Sequence, residues 1–145
     1  MKIVAAFLFL LPFFPIPFHG KIIQEFDRAA FYAAMKAGEM TQLNNEIDLV
    51  QRSSFAQQKA FEGALLMRKS GLEKKASDKL KYFKEGRIKL ETAIQNEPAN
   101  AEYRFLRLTI QENAPKQVKY KSNIDEDKKM VINSFKKLLP VIQSA

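Results

Sequence analysis

Beyond the first twenty residues, apolar side chains recur every three or four positions and no β-branched run interrupts them. That period is the signature of amphipathic helices. Six helices follow from it. The first covers about 22–37, with Ile23, Phe26, Ala30, Ala33 and Ala37 on one stripe and Gly38 ending it. A second opens near Thr41, a residue suited to an N-cap, and carries Leu43, Ile47 and Val50. The third starts after Ser53 or Ser54, presents Phe55, Ala56, Ala60, Gly63, Ala64 and Met67, and closes at Gly71.

The fourth helix is the most regular. Ser77 is placed to cap it, and Leu80, Phe83, Leu90 and Ile94 repeat along one side. Gly86 and Ala93 leave room for a neighbour to approach. Pro98 has no backbone donor and restricts Glu97, so the helix stops there. Asn100 then caps a fifth helix over about 101–112, before Pro115. In the sixth, Asn123 and Glu126 have the spacing of a capping box, and Asp125, Glu126 and Asp127 sit where the helix dipole favours anions. Its inward stripe is Val131, Phe135, Leu138 and Ile142, kinked or ended at Pro140. The intervening "PKQVKYKSN" is basic and irregular.

Short links make consecutive helices antiparallel neighbours. The expected fold is therefore all-α, with about six helices in three antiparallel hairpins stacked as an array. Helix five carries the sharpest clue to the stacking. Arg104, Arg107 and Gln111 form a narrow polar stripe between Tyr103, Leu106 and Ile110 on one flank and Phe105 and Leu108 on the other. A helix with so little polar surface is covered on both sides. Leu90 and Ile94 should then meet Tyr103 and Leu106.

The junction "NEPANAEY" carries a resemblance. Ala93 stands five residues before Pro98, Leu90 eight and Gly86 twelve, and Asn100, Ala101 and Glu102 follow. In this spacing the segment over about 61–110 resembles the passage between successive tetratricopeptide repeats. Phe61, the matching aromatic, lies 37 residues before Pro98 where the family has about 28. The surplus falls in "KSGLEKKASD", and the family's Leu-Gly pair and first-helix tyrosine are not matched. The resemblance is to a divergent, TPR-like helical hairpin protein. It implies a stacked array that binds other proteins through the surface its first helices expose. The chain as a whole also resembles small exported α-helical proteins of Bacteroidota.

Composition places the protein. "MKIVAAFLFLLPFFPIPFHG" has one early lysine and an apolar run from Ile3 to Phe18 broken by Pro12, Pro15 and Pro17. A basic start with about 7–15 apolar residues is the pattern of a secretory signal peptide, and the run is shorter than the roughly 20 residues that span a bilayer. Residues 1–20 are thus expected to be a leader cleaved near Gly20, with an uncleaved N-terminal anchor as the alternative. Residues 21–145 are expected to form one helical domain, periplasmic or secreted. The absence of cysteine excludes a lipid-anchored lipoprotein and disulfide staples, leaving packing to hold the domain. Without Lys2, 23 basic residues face 16 acids, a net charge of +7.

Candidate chemistry is sparse. The only histidine, His19, lies in the leader, and cysteine is missing. Ser-His-Asp and Cys-His catalysis and the usual zinc and haem sites are excluded for the rest of the chain. No Gly-rich phosphate loop is present. The acids at 125–127 lack the glycine and distal glutamate of a calcium loop. No cofactor or metal is expected, and no enzymatic activity; a hydrolase with paired carboxylates is the third-ranked reading.

Two binding sets remain. Tyr103, Arg104, Arg107 and Gln111 are the candidate partner-binding residues, because arginine offers a bidentate fork to carboxylates. The same arginines could instead pair internally with Glu102 or Glu112. Lys74, Lys81, Lys84, Lys116, Lys119 and Lys121 are the candidate set for an anionic envelope component such as lipid head groups or acidic glycan. The plainer reading of these lysines is a solvated surface interspersed with Glu73, Glu85 and Glu91. Nucleic acid is not an expected partner, since the leader directs export and the tyrosines are dispersed. The leading expectation is an exported, non-catalytic protein-interaction or scaffolding module of the cell envelope. A basic envelope-associated protein is the alternative.

Overall fold

A computed structural model describes residues 26–145. The leader and the positions of Ile22 and Ile23 lie outside the described residues. Among the described residues there are seven α-helices and no strand: α1 (Arg28–Ala37), α2 (Met40–Arg52), α3 (Gln58–Leu72), α4 (Ala76–Asn96), α5 (Ala101–Asn113), α6 (Ile124–Ser134) and α7 (Pro140–Gln143). Single 3-10 turns at Lys116–Val118 and Phe135–Lys137 fall before and after α6.

The fold is all-α, built from packed helix pairs. α1 packs on α2, α3 on α4 and α5 on α6, while α2 also packs on α3. The α3–α4 pair is the tightest, and two glycines allow it. A Cβ on Gly63 would lie 2.7 Å from the Gly86 carbonyl oxygen, and one on Gly86 would lie 2.5 Å from the Gly63 carbonyl oxygen. The two backbones touch where any side chain would hold them apart. Helix α5 then stacks on both α3 and α4. Leu90, Ile94, Tyr103 and Leu106 are all buried in one core cluster at that seam, as the periodicity anticipates.

Local signals set several ends correctly. Asn100 caps α5, its Oδ1 accepting from the backbone N–H of Glu102 and Tyr103 at 3.1 and 3.2 Å. Gly38 ends α1 in the left-handed conformation, φ 63°, and its N–H donates to the Ala34 carbonyl at 3.0 Å. Both residues do what their chemistry allows.

Other expectations are corrected. Helix α1 starts at Arg28 because Asp27 caps it, accepting from Ala29 N–H at 2.8 Å and from Ala30 N–H at 3.3 Å. Phe26 therefore precedes the helix. The buried face is Phe31, Tyr32, Ala34 and Met35, while Ala33 and Ala37 are exposed. Large side chains, which hide more apolar area, win the inward positions over alanines. Thr41 lies inside the first turn of α2, and Glu39 takes the cap position without a side-chain bond. Ser53 finishes α2 rather than starting α3, its hydroxyl donating to the Leu49 carbonyl at 2.7 Å. Phe55 stays in the link, stacked on Phe26 with ring centroids 4.3 Å apart. Helix α3 continues past Gly71 to Leu72.

Ser77 is likewise within α4, and Leu80 on the expected inward side faces out. The capping box at Asn123 does not form; its Oδ1 accepts from the Ser122 hydroxyl at 2.9 Å instead. Pro140 starts a separate short helix, α7, which packs on α1 and buries Ile142.

Candidate partner-binding groove

The first helix of each pair converges on one place. Phe31 of α1 meets Phe61 of α3 edge-on, with centroids 4.7 Å apart. Tyr32 of α1 reaches Phe105 of α5 at 5.9 Å, and its hydroxyl donates to Glu102 Oε1 at 3.1 Å. Arg28 pairs with the same Glu102 oxygen at 3.1 Å. Helix α1 is thereby tied to both α3 and α5.

Beyond these contacts the three helices leave a half-open cleft of about 360 Å³. Met35, Met67, Phe83, Phe105, Leu106 and Ile110 supply its apolar lining. Thr109 and Asn113 of α5 and Ala145 also line it. Among the described residues, the charged side chains that line it are Lys36 and Arg68, and no carboxylate side chain does. Arg68 is held in place, its Nε donating to the Met35 carbonyl at 2.9 Å. A Cβ on Gly38 would run into the Arg68 guanidinium, so that glycine both ends α1 and seats the arginine. The two methionines make such a lining adaptable in shape.

The residues expected to form an outward partner-binding face sit elsewhere, inside the molecule. Arg107 grips Asp127 of α6 with Nε to Oδ2 and Nη2 to Oδ1, both at 2.7 Å, and reaches Glu91 of α4 through Nη1 at 2.9 Å. Arg104 donates to Asp127 Oδ1 at 3.1 Å and to the Pro98 carbonyl at 3.0 Å, and lies 3.2 Å from Glu126. Neither arginine pairs with Glu102 or Glu112. Those acids take Arg28 and Lys128, the latter at 3.3 Å.

Tyr103 is buried, its hydroxyl donating to Glu97 Oε1 at 3.1 Å. Gln111 is fully buried, and its amide has no hydrogen-bond partner among the described residues. These four side chains stitch or fill the seams among α4, α5 and α6. They do not line the groove.

Electrostatics at the seams follow from burial. Burial alone would lower the Arg107 pKa, but hydrogen bonds and charge from Asp127 and Glu91 outweigh it and raise it above the ordinary arginine value. Burial first, and then the neighbouring carboxylate, pushes Tyr32, Tyr103 and Tyr120 above the usual phenol range. Tyr120 donates its hydroxyl to Glu91 Oε1, while Arg87 lies over its ring at 5.0 Å.

The six lysines of the anionic-surface set are all exposed, and none forms an ion pair among the described residues. Lys74 lies before α4, Lys81 and Lys84 on it, and Lys116, Lys119 and Lys121 between α5 and α6. Lys81 Nζ sits 5.6 Å from the Tyr82 ring centroid. No hydrogen bond joins the two groups.

Sequence reasoning missed Lys36 and Arg68 in the groove, and Asp127, Glu91 and Tyr120 in the network. For Asp127 a signal existed. It stands four residues before Val131, and so on the inward stripe of α6, opposite the arginine stripe of α5.

No protein-family model, curated protein or solved structure matches the chain. Among the described residues no helix is long and apolar enough to cross a membrane, and no group of three or more acidic, histidine or cysteine side chains is placed to hold a metal ion.

Proposed function

We propose that the protein is an exported, non-catalytic interaction module of the cell envelope, akin to a divergent tetratricopeptide array, that seats a protein partner in the α1/α3/α5 groove. The observation that carries this reading is the groove itself. It is concave, lined by apolar side chains, bordered by Lys36 and Arg68, and formed mainly by the first helix of each pair, with Phe83 of α4 and Ala145 added. Partner segments bind such clefts by burying apolar anchors, with a few polar groups setting orientation. The cations favour a segment that carries an acid next to its anchors.

Thr109→Trp would fill the groove from the α5 side, and Lys36→Glu would cancel the net positive charge of its rim. Capture from envelope extract by the unaltered protein, followed by mass spectrometry, should recover a protein that both variants lose while keeping their helical circular dichroism. Equal recovery by the unaltered chain and both variants would reject the groove as the binding surface.

A further inference from the structure

From Lys128 to Ala145 the chain has four lysines and neither Asp nor Glu. Lys128 is paired with Glu112, whereas Lys129, Lys136 and Lys137 are exposed and form no ion pair among the described residues. Among the described residues, the same stretch holds three of the five large apolar side chains that are exposed: Ile132 at 72%, Phe135 at 46% and Leu139 at 49%. The segment is thus two-faced. Ile142 is buried in the core and Leu138 and Val141 pack against it, while Ile132, Phe135 and Leu139 project outward among the lysines.

Helix geometry keeps these residues together. Lys129 and Ile132 stand three residues apart on one side of α6, and Phe135 and Lys136 follow directly in the 3-10 turn. The 3-10 turn at Phe135–Lys137 and the new start at Pro140 then turn the chain so that Leu139 is exposed while Ile142 points in.

The outward face offers isolated knobs, and beyond the exposed Asp125 and Glu126 in the first turn of α6 its charge has one sign. A second copy would set lysines against lysines. An anionic bilayer surface instead supplies a phosphate for every lysine and a deformable apolar layer that takes protruding side chains one by one. Eleven residues of α6 rise too little to cross a bilayer core, so such a segment lies on the surface.

We propose that this C-terminal face docks the protein on an anionic membrane surface, with Ile132, Phe135 and Leu139 entering the interface and Lys129, Lys136 and Lys137 held by lipid phosphates. The site is separate from the groove and from the six lysines considered above, and it does not rest on the groove reading.

The chain has no tryptophan, so Ile132→Trp installs a unique reporter at an exposed position. With vesicles of phosphatidylcholine and phosphatidylglycerol, its fluorescence should shift to the blue and be quenched by brominated acyl chains. Vesicles of phosphatidylcholine alone should leave it unchanged. Ile88→Trp, equally exposed on α4, should not respond. Adding Lys129→Gln, Lys136→Gln and Lys137→Gln to the Ile132→Trp chain should weaken binding to the anionic vesicles roughly a hundredfold, with unaltered helical content. No shift with anionic vesicles, an equal shift with neutral ones, or indifference to the lysine substitutions would each overturn the proposal. An acidic protein as the true partner would appear as the first of these.

Discussion

Arg107 holds Asp127 with two parallel bonds of 2.7 Å, and both side chains are almost wholly shut off from solvent. This pair joins α5 to α6, and Glu91 and Arg104 extend it to α4 and to the Pro98 turn. Arginine suits the place because its planar fork matches a carboxylate edge to edge. Asp127→Ala leaves two buried guanidinium groups without that partner, and its expected cost is about 3–5 kcal/mol. Urea unfolding monitored by circular dichroism measures it. Because the loss reflects uncompensated charge, Arg104→Met with Arg107→Met should recover part of it when combined with Asp127→Ala.

The contact between Gly63 and Gly86 predicts opposite signs at different glycines. Gly86→Ala puts a methyl against the Gly63 carbonyl and 2.9 Å from the Met67 backbone nitrogen, and should destabilise by about 1–3 kcal/mol. At Gly71, still within α3, an added Cβ meets nothing within 4 Å. There Gly→Ala gains only helix propensity and should stabilise by up to about 1 kcal/mol. Thermal midpoints of the two variants therefore move in opposite directions from the parent.

Gln111 is a buried amide without a partner among the described residues. An unsatisfied buried polar group costs about 1–3 kcal/mol, and an apolar side chain of similar shape removes that cost. Gln111→Met should match or exceed the parent in stability. Gln111→Glu, which adds a charge at the same position, should lose several kcal/mol in the same denaturation series.

The buried tyrosines predict an alkaline limit. In the unfolded chain a tyrosine ionises near pH 10, whereas Tyr32, Tyr103 and Tyr120 hold their protons to higher pH when folded. Above about pH 10 the unfolded state therefore binds fewer protons than the native state, and stability falls as pH rises. Below that pH their contribution is fully present. Unfolding followed against pH should show the decline setting in near pH 10, with tyrosinate absorbance appearing together with loss of helix. Tyr120→Phe should make the decline shallower.

Much of the helical framework could be read from neighbouring residues. Pro98 stops α4, Asn100 opens α5 and Gly38 closes α1 because each acts on backbone groups within four positions of itself. Gly86 was recognisable as a point of close approach, though not its counterpart as Gly63. The alanine stripe of α1 does not face the core because the larger Phe31, Tyr32 and Met35 take the inward positions, while Asp27 sets where the helix begins. Thr41 and Ser77 have capping chemistry, yet α2 and α4 each start one residue earlier, which places both inside a first turn.

The candidate site was less accessible. Arg104 and Arg107 have the composition of a binding stripe, and nothing near them in the chain says which side of α5 will be covered. Asp127, twenty residues beyond Arg107, removes both from the surface once α6 docks. The groove behaves the same way. Tyr32, Arg68 and Phe105 come from three helices, and no spacing rule links them.

Period, caps and breakers in the residue order suffice for the helical class and most of the turns. Those features depend on interactions of a few residues' reach. Which arginines are buried, where a cleft opens and which apolar side chains remain outside required the packed molecule. Desolvation and ion pairing depend on what lies across a seam, and those neighbours are tens of residues away along the chain.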